Sequence, residues 1–129
     1  MTDTHRSTAY ERGRVLLDRE LPGTADFIEQ AYAPIAPDMA RFVIEFGYGE
    51  VASRPGLSRR ERVIANLATF IALGGAEVQI QLQCRTALAL GMSREEIVEV
   101  FLNAVPTTGL ARAQNALLAA REVLAPAPN

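Results

Sequence analysis

The sequence predicts an all-α protein, and three observations support this class. Apolar side chains recur at helical spacing over most of the 129 residues. Ser58 with Glu61, and Ser93 with Glu96, form Ser-x-x-Glu capping boxes, in which hydroxyl and carboxylate satisfy backbone amides at a helix start. Glycine or proline follows several apolar runs, as expected where helices end. We therefore predict a compact, orthogonal array of about six to seven helices.

Three helices are predicted in the first fifty residues. The first covers residues 10–21, and Thr24 is a suitable N-cap for the second. Pro37 suits the first turn of the third helix, where a missing amide hydrogen costs nothing. Because glycine disfavours helix, we expect this third helix to end at Gly47 and Gly49.

Four further helices are predicted in the rest of the chain. One covers residues 59–73, and the next ends near residue 90, with Gly91 in the left-handed closing position. A third opens after Ser93. Pro106 and Gly109 bracket the last junction, after which a terminal helix runs to about residue 124.

Residues 77–85 carry a conflicting pattern. Polar and apolar side chains alternate there, which is typical of a half-buried strand. No other segment shows this period, so a lone strand would leave its backbone groups without partners. We predict that the segment is helical.

Composition indicates one globular domain spanning residues 1–129, with frayed ends at 1–8 and 125–129. The net charge of -2 argues against a nucleic-acid partner. The longest apolar run, 67–73, is too short to span a membrane, and no leader segment is visible, so we expect a cytoplasmic protein. All 13 basic residues are arginine, which suggests a bacterial GC-rich gene and excludes a lysine Schiff base.

Three segments together resemble the carboxymuconolactone decarboxylase family. They are GEVASRPGL at 49–57, LSRRER at 57–62 and RTALALGMSREEIVEV at 85–100, and the similarity extends from about residue 10 to 118. The resemblance implies an all-helical, alkylhydroperoxidase D-like fold. It also implies a homo-oligomeric ring, a trimer or a hexamer, with active sites near subunit contacts.

The resemblance places Gln83 where the family has its histidine, eight residues before the closing glycine. Gln79 stands where the decarboxylase branch has a glutamate. An amide forms hydrogen bonds but does not transfer protons near neutral pH. Glu77 is two residues from the Gln79 position, roughly 200° around a helix, and is not expected to substitute for that glutamate. The two cysteines of the redox branch are replaced by Ala76 and Gln79, so no thiol peroxidase activity is expected.

Two bulky residues of the family are also replaced, its tryptophan by Ala52 and its tyrosine by Thr107. If these positions line the pocket, the pocket is larger and less acidic than that of the catabolic enzyme. The standard lactone is therefore not the expected substrate.

Other candidate residues each have a structural alternative. Arg54 either binds a substrate carboxylate through its planar guanidinium or ties its loop to a neighbouring element. Arg85 binds substrate or forms a surface or intersubunit ion pair, and Tyr48 acts as an acid or packs beside the glycine turn. The single cysteine, Cys84, lies outside the redox motif and is interpreted as a small buried apolar residue.

No metal site and no cofactor are expected. The only histidine, His5, is near the amino terminus, so a histidine metal site is excluded. Glu95, Glu96 and Glu99 cluster, but carboxylates in a first helical turn are explained by the helix dipole.

The sequence thus favours a repurposed small-molecule enzyme of this family. We expect a cofactor-free lyase, isomerase or cyclase acting on a cyclic or keto-acid metabolite, in a biosynthetic pathway. In this hypothesis Gln83 and Arg54 are the catalytic residues, and the substrate-binding residues are Gln79, Arg85, Tyr48, Ala52 and Thr107. The alternative is a non-catalytic, ligand-binding or structural homo-oligomer.

Overall fold

The computed structural model describes residues 6–128, so His5 lies outside the described residues. Within this range there are eight α-helices and one π-helix but no strand, which confirms the predicted all-α class. The chain divides after Leu57 into two compact units, which are described separately as the N-terminal and C-terminal units. The helices outnumber the prediction because two of the predicted helices are each divided in two.

Four helices form the described part of the N-terminal unit: α1 (Thr8–Glu20), α2 (Thr24–Tyr32), α3 (Pro37–Arg41) and a π-helix (Phe42–Ala52). The predicted cap at Thr24 was wrong by one residue. Gly23, with φ of 87°, is the N-cap of α2. The Thr24 hydroxyl instead donates a hydrogen bond back to the Leu21 carbonyl oxygen, at 2.6 Å.

The predicted helix end at Gly47 and Gly49 was also wrong, since the chain remains helical to Ala52. Close packing against α1 explains this difference. A Cβ atom on Gly13 of α1 would lie 2.0 Å from the Ile44 carbonyl oxygen, and Gly49 meets α1 equally closely. Glycine is therefore used here to bring two backbones together, and this packing outweighs its low helix propensity.

The N-terminal unit has its own apolar core, formed by Tyr10, Leu17, Ala25, Ile28, Ala40 and Ile44. A polar network lies beside it. Arg14 pairs with Asp26 and Glu29, so it links α1 to α2. The Tyr10 hydroxyl donates to Glu29, and burial together with this hydrogen bond raises the pKa of Tyr10 to about 12.

Five helices form the C-terminal unit: α4 (Arg59–Leu73), α5 (Glu77–Ala89), α6 (Arg94–Thr108), α7 (Leu110–Ala119) and α8 (Arg121–Leu124). Both predicted capping boxes are confirmed, at the starts of α4 and α6. Hydrogen bonds from the backbone amides of Ser58 and Ser93 lower the pKa of Glu61 and Glu96. Gly91 has φ of 90°, which confirms the left-handed closing position.

The predicted junction at Gly109 is confirmed, since this residue separates α6 from α7, but Pro106 lies inside a helix and the terminal helix is not continuous. The helix α6 passes through Pro106 and ends at Thr108. Pro106 removes only the hydrogen bond that its own amide would donate one turn back, and the helix continues beyond it, with the Gly109 amide donating to Val105. The terminal helix is divided at Ala120, where the Gln81 side chain donates to the last carbonyl oxygen of α7, at 3.0 Å.

The core of the C-terminal unit lies among α4, α5 and α6, with contributions from α7 and α8. Its largest fully buried side chains are Phe101, Leu67, Ile71, Ile97, Val63 and Cys84. The helical interpretation of residues 77–85 is confirmed. Ile80, Cys84 and Ala87 are buried at helical spacing, which places one face of α5 in this core.

Candidate functional site

Gln83 is a buried polar residue of α5, with only 5% of its surface exposed. Gln79 lies one turn earlier on the same helix but is exposed. The two amides thus differ in environment, and a hydrogen bond made by Gln83 is the better shielded from water. Neither side chain carries a group that transfers protons near neutral pH.

Cys84 is fully buried in the core of the C-terminal unit. This burial confirms its interpretation as a small apolar residue. Loss of hydration raises the pKa of the thiol to about 12, although the Arg85 charge acts in the opposite direction. A thiol with this pKa is almost wholly protonated at neutral pH, and the thiolate is the nucleophilic form.

Three candidates from the sequence lie at the end of the N-terminal unit. Tyr48 is half-buried and packs against the core of that unit, in agreement with its structural alternative. Ala52 is the last residue of the π-helix and is 9% exposed. Arg54 follows in the turn before Pro55, where its side chain is exposed and its amide donates to the Val51 carbonyl oxygen.

Two other candidates lie on exposed surfaces of the C-terminal unit. Arg85 projects from α5, and Thr107 lies in the last turn of α6. The carboxylate of Glu96 belongs to its capping box and also pairs with Arg60. Over residues 6–128, no group of three histidine, cysteine or acidic side chains is close enough to hold a metal ion.

A pocket of about 380 Å³ opens in the C-terminal unit, between the end of α4, the start of α5 and one side of α7. Its apolar lining includes Phe70, Ile71, Ile80 and Ala116, and the last three are buried. Gly74 and Gly75 form part of the edge. The volume lies towards the lower end of the range of small-molecule sites, and the accessible lining is polar and apolar in similar measure.

Three polar residues line the same pocket: Glu77 at the start of α5, and Arg112 and Asn115 on α7. Arg112 and Asn115 are three residues apart and therefore share a helix face. One nitrogen of the Arg112 guanidinium donates to the Leu73 carbonyl oxygen, at 3.0 Å, and so closes the end of α4. This contact holds a cationic group at the pocket edge.

The pocket brings together a different set of residues from those predicted. Ala76, at the position of a redox-branch cysteine, lines it, whereas Gln79, Gln83, Arg85 and Thr107 are not among its lining residues. Arg112 and Asn115 were missed by the sequence analysis. The available signal was weak, since a polar pair at three-residue spacing is ordinary for an exposed helix face.

These features define an all-helical protein with a small-molecule-sized pocket, and similarity to known proteins identifies the family. A sequence profile of the Carboxymuconolactone decarboxylase family matches residues 37–122. The chain belongs to this family, as its motifs indicated. Among residues 6–128, no helix has both the length and the apolar character needed to cross a membrane.

Two relatives are similar over much of the chain. A 4-carboxymuconolactone decarboxylase of Acinetobacter baylyi is 34% identical over 86 residues, which cover 67% of this chain and 63% of that protein. An uncharacterized 15.0 kDa protein in the nqo9-nqo10 intergenic region of Paracoccus denitrificans is 29% identical over 105 residues, or 81% of this chain and 78% of that protein. The match thus spans less than two thirds of the Acinetobacter protein.

Proposed function

We propose that this protein is a cofactor-free enzyme that uses the decarboxylase-family scaffold on a small cyclic or keto-acid metabolite. The reaction is a decarboxylation, an isomerisation or a cyclisation, in a homo-oligomer. Family membership carries the proposal, because the matched region covers residues 37–122. The Acinetobacter relative is named as a decarboxylase of a lactone acid, which supports a small organic acid as substrate.

Gln83 supplies the catalytic contact in this proposal. Its amide is buried on α5 and is suited to hold and polarise a substrate carbonyl, because hydrogen bonds are stronger where water is excluded. The positions of the family's histidine and glutamate carry amides, so the reaction depends on orientation and polarisation rather than on a strong base. Arg54, with its exposed guanidinium, is assigned to a substrate carboxylate.

The remaining proposed substrate contacts come from Gln79, Arg85, Tyr48, Ala52 and Thr107. Ala52 and Thr107 are small where the family has aromatic residues, so they leave room for a substrate of different shape. Thiol-dependent peroxide reduction is excluded from the proposal, since Ala76 and Gln79 replace the cysteines and the remaining thiol, Cys84, is buried.

A second candidate is a non-catalytic, ligand-binding homo-oligomer of the same family. The observation in its favour is the pair of amides, Gln79 and Gln83, where an acid and a base are needed for lactone decarboxylation. Both proposed functions use the same family fold, but only the enzyme converts its ligand to a product.

Turnover is tested by incubating the protein with 4-carboxymuconolactone and, separately, with small-molecule extracts of the cells that carry the gene. Mass spectrometry follows substrate loss, and Gln83→Ala is the comparison. The proposal expects little lactone decarboxylation and depletion of another metabolite by the parent protein only. If neither the lactone nor any extract component changes, the non-catalytic candidate is correct.

A further inference from the structure

The pocket of the C-terminal unit combines an apolar floor with two opposite charges. Ile71, Ile80 and Ala116 are almost inaccessible to solvent and form the floor, while Phe70 adds a half-buried aromatic side chain. Because these three side chains expose almost no surface, the accessible apolar surface of the pocket belongs to Phe70 and Ala111, and a ligand lying there would remove that surface from water, at roughly 25 cal/mol per Å². An apolar molecular body therefore fits this part of the pocket.

Arg112 provides the positive charge. Its contact with the Leu73 carbonyl oxygen orients the guanidinium and uses only part of its hydrogen-bonding capacity. Within residues 6–128 no carboxylate forms an ion pair with it. A Cβ atom on Gly74 would lie 2.2 Å from a guanidinium nitrogen, so the absent side chain at Gly74 makes room for this arginine. Asn115, on the same face of α7, adds an amide beside the cation.

Glu77 provides the negative charge, from the first turn of α5. It lines the pocket with Arg112, but the two side chains do not form an ion pair with each other. The described part of the chain offers Glu77 no other cationic partner. The pocket thus presents an anion-binding group and a cation-accepting or hydroxyl-accepting group that do not form an ion pair with each other.

We infer that this pocket binds a small, mainly apolar carboxylic acid that carries a hydroxyl or amino group at its other end. The ligand carboxylate accepts hydrogen bonds from Arg112 and Asn115, its donor group binds Glu77, and its apolar body lies on Phe70 and Ala111. Guanidinium suits a carboxylate because its planar N–H groups match the two oxygens. The inference goes beyond the proposed function, because it assigns a ligand to a pocket that Gln83 does not line, and it concerns binding and does not require turnover.

The test uses three probes of similar size that differ in whether they carry a carboxylate and a hydroxyl group. They are 4-hydroxyphenylacetate, which has both groups, phenylacetate, which lacks the donor, and 2-(4-hydroxyphenyl)ethanol, which lacks the carboxylate. Dissociation constants are measured by NMR titration or calorimetry. The probe 4-hydroxyphenylacetate should bind most tightly, and its NMR signals should show contact with the Phe70 ring.

Arg112→Gln removes the charge yet retains an amide that can donate to the Leu73 carbonyl oxygen. It should weaken binding of 4-hydroxyphenylacetate and phenylacetate about tenfold, as expected for a charged hydrogen bond, and leave the alcohol unaffected. Glu77→Gln should weaken binding of 4-hydroxyphenylacetate but not of phenylacetate. The matched control is Arg94→Gln, an exposed arginine of α6 outside the pocket, which should bind all three probes like the parent.

A second variant covers the case in which Arg112→Gln fails to fold, since Arg112 closes the end of α4. Asn115 is exposed, so Asn115→Asp should fold, and its negative charge should weaken both carboxylate probes while leaving the alcohol unaffected. Equal binding of the carboxylates by the parent and these variants, or no saturable binding of 4-hydroxyphenylacetate at millimolar concentration, overturns the inference. Probe binding without turnover of any metabolite refutes only the proposed enzyme activity. Turnover of a metabolite without saturable binding of 4-hydroxyphenylacetate refutes only this inference.

Discussion

Gly49 of the π-helix lies so close to Ala9 of α1 that a Cβ atom on the glycine would be 1.9 Å from the Ala9 carbonyl oxygen. No side chain can yield there, because the obstructing atom belongs to a helix backbone. Gly13 meets the π-helix in the same way from the other side. These two glycines therefore set how closely the two helices of the N-terminal unit approach each other.

We predict that Gly49→Ala and Gly13→Ala each destabilise the protein, by about 1 to 3 kcal/mol or more, because the helices must separate. A gain of roughly 0.5 to 1 kcal/mol from better helix propensity is too small to compensate. Gly47→Ala is the matched control, since its Cβ would meet nothing within 4 Å. The free energy of unfolding of Gly47→Ala, measured in urea, should equal or exceed that of the parent protein. Equal effects of all three substitutions would contradict the packing argument.

Alkaline pH should destabilise the protein through Tyr10. Its pKa is raised from 10.0 to about 12 in the folded state, so the unfolded chain loses this proton first as pH rises. The protonated Tyr10 hydroxyl therefore stabilises the folded state fully below about pH 10, and this stabilisation is lost progressively towards pH 12. Cys84, whose pKa is raised from 9.0 to about 12, acts in the same direction from about pH 9 upwards.

The free energy of unfolding of Tyr10→Phe should fall less steeply over this range than that of the parent. Tyr32→Phe is the control, because the structure shows no side-chain hydrogen bond from the Tyr32 hydroxyl within residues 6–128. A Tyr10→Phe profile parallel to the parent profile would show that Tyr10 titrates alike in both states.

The Cys84 thiol should be inert in the native protein. We expect peroxide reduction with dithiothreitol to match the buffer rate, and a disulfide reagent such as DTNB to react only after unfolding, because the side chain is fully buried. Cys84→Ala is the better comparison than Cys84→Ser, since a serine hydroxyl would enter an apolar core. Peroxide turnover that disappears in Cys84→Ala would contradict the assignment.

Gln83→Ala should weaken substrate binding or turnover by about 1 to 3 kcal/mol, the value of one or two hydrogen bonds, while helical content and assembly stay intact. Circular dichroism and light scattering check the second condition. Gln83→His alone should give little lactone decarboxylation, and Gln83→His with Gln79→Glu should give more. Unchanged native activity in Gln83→Ala would move the site elsewhere on the scaffold.

Local sequence signals predicted most helix ends correctly, because a capping box or a left-handed glycine acts within one helical turn. Ser58, Ser93 and Gly91 are examples. At Gly49 close packing outweighs the low helix propensity of glycine, and at Pro106 the helix continues for two residues beyond the proline. Neither outcome is visible in a short window of sequence.

The family motifs led to Gln83, but not to the pocket lined by Glu77 and Arg112. These two residues are 35 positions apart in the chain, and α4, α5 and α7 must fold together before they share a pocket. Neither residue attracts attention in the sequence. Glu77 is an acidic residue in the first turn of a helix, and Arg112 is an arginine on an exposed helix face, and both are common at such positions. Only the tertiary structure gives them a common role.

The central claim is that this decarboxylase-family scaffold turns over a small organic acid and uses Gln83 to do so. The most direct measurement is untargeted mass spectrometry of a metabolite extract incubated with the parent protein, with Gln83→Ala and with heat-denatured protein. We predict that the parent depletes at least one acid and forms a matching product, whereas both controls leave it unchanged. An extract that the parent protein leaves unchanged, under conditions where it binds the acids, would contradict the claim.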